Sequence, residues 1–135
     1  MREKDIQTVF GKINQRHGVF ELKLSKGISI RFDSVKEHQR EALLKASGDE
    51  GLYHKISDSF IGTRNGLRFP SPKPFDCVFL KNTPAFVVVC FYVPYKRKTF
   101  YYVPIERWWN AEMSSDKKSI READLEPYAI EILEV

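Results

Sequence analysis

The sequence predicts an α/β domain, a central mixed β-sheet flanked by helices, and three observations carry that expectation. The stretch "GVFELKLSKG", residues 18–27, alternates apolar and polar residues as a half-buried strand does. The run "AFVVVCFYV", residues 85–93, is apolar on both faces and belongs at the centre of a sheet. Between them, "DSVKEHQREALLKASG", residues 33–48, carries the marks of a capped helix: Ser34 followed three residues later by Glu37, and Gly48 just past the last periodic position.

The remaining elements follow in order. Ile6, Val9, Phe10 and Ile13 recur at spacings of three and four, which predicts a short amphipathic helix over 3–16 that ends at His17-Gly18. "GISIRF" reads as an extended edge segment, and "GLYHKI" as a strand after the central helix. Residues 57–74, with two glycines and three prolines and no period, predict a long loop of the functional or mobile kind. "FDCVFL", the turn "KNTP" and "AFVVVCFYV" read as a β-hairpin. After the turn "PYKRK" comes the strand "TFYYVPI". Trp108 and Trp109 start a short helix or cap the core, 114–127 is a charged linker with one helical turn or two, and "YAIEILEV" adds an edge strand.

One domain spanning 1–135 accounts for this material, because 42% hydrophobic residues suffice for a single core. The net charge of +4 permits a polyanionic partner without requiring one. Cys77 and Cys90 lie inside strand-like runs rather than in a metal-ligand spacing and read as reduced core residues. No apolar run reaches the length of a membrane span, and "MREKDIQ" lacks a signal peptide's apolar core; a cytoplasmic protein is expected.

The residues that invite chemistry begin with Glu21 and Lys23. Alternation puts Phe20, Leu22 and Leu24 on one face of their strand and Val19, Glu21, Lys23 and Ser25 on the other. A carboxylate and an ammonium thus point the same way, either as an ordinary surface pair or as part of a site. In the following helix the stripe through Val35, Ala42 and Ala46 passes His38 and comes near Gln39. Taken alone, His38 reads first as a core histidine bonded to a backbone carbonyl.

"FELK" followed by "EHQ" in the next helix resembles the restriction-endonuclease-like nucleases with the PD-(D/E)xK motif, most closely their Holliday-junction resolvase branch. The resemblance covers residues 18–56 and, more loosely, the later hairpins. It implies a restriction-endonuclease-like fold and a structure-selective DNA endonuclease that uses Mg2+ or Mn2+ and acts as a homodimer on branched DNA. Glu21 and the Leu22 carbonyl would bind the metal and Lys23 would orient the attacking water, with His38 and Gln39 lining the pocket. The family's other carboxylate precedes E-x-K, and here the nearest match lies downstream in "KPFDCVFL". Asp76 is therefore expected to join Glu21 across the sheet in a circularly permuted motif order. Lys55 is the expected further basic residue, in preference to His54, and Glu3 an outer carboxylate. Arg64, Arg68 and Lys73, with Lys96, Arg97 and Lys98, are candidate phosphate contacts, although a run such as "KRK" is more often a solvated turn. Tyr92, Tyr95, Tyr101 and Tyr102 read as core and sheet surface rather than a stacking platform. The rival reading is a non-catalytic nucleic-acid-binding module on the same fold.

Overall fold

The computed structural model describes residues 1–56 and 74–135. Along the chain it forms α1 (Glu3–Ile13), β1 (Val19–Ser25), β2 (Ser29–Arg31), a 3-10 turn at Phe32–Ser34, α2 (Glu37–Ser47), β3 (Leu52–Lys55) and β4 (Cys77–Leu80). There follow β5 (Ala85–Phe91), β6 (Thr99–Pro104), α3 (Ile105–Ser114), β7 (Ser119–Arg121), α4 (Glu122–Leu125), a second 3-10 turn at Glu126–Tyr128 and β8 (Glu131–Glu134). Among the described residues no helix is long and apolar enough to cross a membrane.

A four-stranded mixed sheet in the order β1-β5-β6-β8 organises the molecule, with β1 parallel to β5 and the other pairs antiparallel. Every residue of β5 is buried, as its two-sided apolar sequence demands. On one face Phe20, Leu22, Phe86, Val88, Phe100 and Tyr102 pack against Ile6 and Phe10 of α1. On the other, Val87, Val89, Phe91 and Val103 pack against Leu43 of α2, Trp108 of α3 and Leu125. The expected sheet between helical layers is therefore present.

Gly18 opens β1 with φ +156°, and a Cβ there would lie 2.6 Å from the Pro84 carbonyl oxygen. That close approach lets Val19 N–H donate to the same oxygen at 2.8 Å, which starts the β1–β5 ladder.

Three local expectations are corrected. The segment at 75–80 does not form a hairpin with β5: β4 pairs with β3 in a separate two-stranded ribbon. The turn between β4 and β5 is tied to the end of α2, because Asn82 N–H donates to the Gly48 carbonyl and Thr83 N–H to that of Ala46. That anchorage accompanies β4 out of the main sheet. Secondly, α2 starts at Glu37, not at Ser34, which lies in the preceding 3-10 turn. Thirdly, 114–127 is more than a linker: the expected helical turns are there, as α4 and the 3-10 turn after it, but β7 also pairs with β2, and Leu125 is fully buried in the core.

The two cysteines part company. Cys90 is buried in β5, whereas Cys77, expected in the core, is exposed. Burial pushes the Cys90 thiol up from an ordinary 9.0 to about 11. The unfolded chain thus releases this proton at lower pH than the folded one, so the associated stability is fully present below pH 9.0 and is lost as pH rises towards about 11. A thiol-reactive disulfide reagent at pH 8 is expected to modify Cys77 alone in the native protein and both cysteines after denaturation. Fast modification of Cys90 in the native state would contradict the placement of β5.

Candidate functional site

β1 answers the question its sequence poses. Its Phe20, Leu22 and Leu24 pack on the α1 side of the sheet, which leaves Glu21, Lys23 and Ser25 on the side of α2 and α3. Lys23 is only 8% exposed, beside Val89 in the ladder, so its methylene stem lies along the apolar sheet. Its ammonium stands 3.2 Å from Glu21 Oε1. The pair is a part-buried constellation rather than a solvated surface pair: the Lys23 side chain is 10% exposed and that of Glu21 29%.

Gln39 completes it from α2. Its Oε1 accepts the Lys36 backbone N–H at 3.0 Å, in the helix's first turn. Its Nε2 is thereby turned toward the sheet and donates to Glu21 Oε1 at 2.9 Å. One carboxylate oxygen receives both an ammonium and an amide, and Oε2 takes no part in either contact. The amide's two ends are thus fixed by the helix start and by β1, so the spacing between these elements is encoded in one side chain. The next residue, Arg40, lays its guanidinium over the Trp109 ring at 4.1 Å from the centroid, which helps clamp α2 to α3.

The Leu22 carbonyl occupies a defined position. Val19 N–H bonds the Pro84 carbonyl and Tyr92 N–H bonds that of Ser25, so the odd-numbered residues of β1 address β5. By the alternation of a ladder, the backbone groups of Phe20, Leu22 and Leu24 point to the other edge of β1, which has no partner strand among the described residues. A carbonyl oxygen at Leu22 and a carboxylate at Glu21 are hard oxygen donors suited in kind to magnesium or manganese. Among the described residues no three His, Cys, Asp or Glu side chains gather in a cage of the sort a structural transition metal takes.

The other expected residues are placed as follows. Asp76 does not lie across the main sheet from Glu21 as expected: it immediately precedes β4 in the separate ribbon, where its carbonyl accepts Ile56 N–H at 2.8 Å and extends the β3–β4 ladder by one pair. Alternation gives Asp76 the same face as Val78, Ile56 and His54, while Lys55 shares the other with Cys77, Tyr53 and Phe79. Tyr53, Lys55, Cys77 and Phe79 are all exposed; on the other face Ile56 is buried and Val78 half-buried, while His54 and Asp76 are exposed. His54 shares the face of Asp76, and Lys55 points to the other. The Cys77 thiol, through its hydrogen bond and its charge, and then burial and the Asp76 carboxylate, raise the Tyr53 phenol above its ordinary value.

His38 does not line the inward stripe; it is exposed on α2, and Leu43 and Ala46 are the buried residues of that helix. Glu3 belongs to α1, which covers the opposite face of the sheet from Glu21. Lys96 and Arg97 are exposed in the turn between β5 and β6, and Lys98 is half-buried with its Nζ 6.0 Å from the Tyr92 ring centroid. Arg64, Arg68 and Lys73 lie outside the described residues. Two contributors carry no clear mark in the sequence: the Arg40–Trp109 stack, for which no local signal exists, and the full exposure of Tyr95, which its position after Pro94 in a turn only foreshadows. Comparison with models of known protein families, with curated proteins and with solved structures finds no match.

Proposed function

We propose that this chain is a magnesium-dependent endodeoxyribonuclease of the Holliday-junction resolvase type, cytosolic and acting as a homodimer on branched DNA. The observation that carries the reading is the convergence of Lys23 Nζ and Gln39 Nε2 on Glu21 Oε1. A strand carboxylate, a lysine two residues on and a glutamine from the next helix are the residue types, in the order, that the E-x-K motif with its following helix calls for. Magnesium or manganese bound there would neutralise charge at the scissile phosphate and activate the attacking water.

The chain's own side chains divide the remaining work. Glu21 presents its carboxylate at the edge of the sheet with Oε1 held from two sides, so that its orientation does not depend on solvent. Lys23 supplies a fixed ammonium whose stem is locked by burial; such a group orients a water or offsets negative charge as it develops. Gln39 positions Glu21 and sets the distance of α2 from β1. Asp76 is the proposed second carboxylate, in a permuted motif order, and it shares the ribbon face that carries Ile56 and Val78.

The decisive experiment incubates the full chain with end-labelled four-way junctions, flaps and linear duplexes, with magnesium or with a chelator. Cleavage of branched substrates in magnesium alone is expected. Tight binding across the panel with no cleavage under either condition would favour the non-catalytic module, a reading that gains from Asp76 lying on a ribbon separate from the sheet of Glu21.

A further inference from the structure

The turn joining β5 to β6 has a construction that packing does not explain. Lys96 N–H donates to the Val93 carbonyl at 3.1 Å, which closes a four-residue turn with Pro94 and Tyr95 as its central residues. Tyr95 has φ +66°. Proline followed by a residue of positive φ is the pattern of a type II turn, whose third position favours glycine or asparagine because a Cβ is strained there. The chain instead holds a tyrosine at that position, and the ring is wholly solvent-exposed, at 106% of its reference area. It therefore contributes no burial to offset the backbone strain. A large aromatic held in a disfavoured conformation and packed on nothing is a candidate for contact with another molecule.

Its neighbours indicate what kind. Lys96 and Arg97 follow it, both exposed, then Lys98. The base of the turn is fixed: Lys98 and Val135 exchange backbone hydrogen bonds at 2.9 and 2.8 Å, and the Lys98 ammonium lies over the Tyr92 ring. The tip is thus a rigid mount that presents one flat aromatic face and up to three cations. Aromatic rings take bases, and lysine and arginine take the phosphates between them.

We infer that the β5–β6 turn is a finger that stacks Tyr95 on an unpaired base of branched or single-stranded DNA while Lys96, Arg97 and Lys98 hold the adjoining phosphates. The inference rests on the nucleic-acid reading above and narrows its substrate to DNA with bases free to stack. The finger is also separate from the Glu21 site. Phe91, where the turn departs, pairs with Ser25, four residues beyond Glu21 and thus about 13 Å along the strand.

The test measures binding rather than cleavage, in a chelator, so that it stands apart from the nuclease proposal. A fluorescent adenine analogue is placed at an unpaired position in a junction and, as control, within a continuous duplex. Tyr95→Gly is expected to fold at least as well as the parent, because glycine suits the turn, yet to weaken binding to the unpaired probe roughly tenfold and abolish its fluorescence quenching. Tyr95→Phe retains both, since the ring face is kept. Replacing Lys96, Arg97 and Lys98 by alanine lowers the salt slope on single strands by about 0.7 for each phosphate that the variant no longer neutralises. If Tyr95→Gly binds the probe like the parent, or if it weakens duplex and unpaired DNA equally, the finger is a charge patch at most and the inference fails. Cleavage activity that persists while Tyr95→Gly changes nothing would overturn the finger and leave the nuclease proposal standing.

Discussion

Glu21→Gln is expected to lower magnesium-dependent cleavage of branched DNA by about a hundredfold or more, while the protein remains folded. The substitution separates charge from shape. Glutamine retains an oxygen where Glu21 Oε1 now accepts from Lys23 and Gln39, so both donors keep an acceptor. What is lost is the negative charge that a divalent cation needs and the charge-assisted strength of the two bonds, which costs about 1–2 kcal/mol of stability. The Lys23 ammonium then lacks its counter-charge, but the 29% exposure of the Glu21 side chain lets water moderate that cost. Glu21→Ala is expected to destabilise more, since it leaves a nearly buried ammonium and an amide without their acceptor. Single-turnover cleavage and chemical denaturation, measured on both variants, distinguish the outcomes. Parent-like cleavage by Glu21→Gln would remove Glu21 as a metal ligand. Unfolding of Glu21→Gln would make the constellation a structural one, and the proposed activity would lose its main support.

The side-by-side placement of Glu21 and Lys23 was legible in the sequence because it depends only on the period of a strand, which no tertiary contact can alter once the strand forms. The same holds for β5, whose unbroken apolar run has no stable place except the middle of a sheet. The helix after β1 was legible as an element but not in phase. Its first turn begins at Glu37, so the residues facing the sheet are Gln39, Leu43 and Ala46, and His38, one residue earlier and about 100° round the helix, turns to solvent. The N-cap is Lys36 rather than Ser34, two residues on, and the polar side chain that meets Glu21 is Gln39 rather than His38. The β3–β4 ribbon illustrates a different obstacle. Two adjacent strands joined by a short turn favour a hairpin locally, but the turn after β4 bonds the carbonyls at the end of α2, and that choice is made between segments more than thirty residues apart. The charged stretch at 114–127 concealed Leu125 for the opposite reason: one apolar residue among many charges carries no period, yet it fills the core fully.

The proposed permuted site makes the other large prediction, and it turns on the faces of that ribbon. Asp76→Asn is expected to reduce cleavage by about a hundredfold and to leave the ribbon intact, because the bond from Ile56 N–H is accepted by the Asp76 backbone carbonyl, which asparagine retains. Lys55→Ala is expected to leave cleavage within about threefold of the parent, in line with the small effect of surface substitutions. Lys55 points to the face of Cys77 and Phe79, whereas Asp76 is on the face of Ile56, and a one-residue step along a strand reverses direction completely. The two variants therefore test one geometric statement from both sides. Loss of activity in Lys55→Ala with full activity in Asp76→Asn would mean that DNA meets the outer face of the ribbon, where Tyr53, Cys77 and Phe79 lie exposed. Glu21 would then need a carboxylate other than Asp76 beside it. Equal loss in both variants would mean that the ribbon as a whole, rather than one carboxylate, is needed for cleavage. Titration of the magnesium requirement would separate these cases: removing a metal ligand raises the magnesium concentration needed for half-maximal rate, whereas a weaker hold on DNA leaves it unchanged and raises the DNA concentration instead.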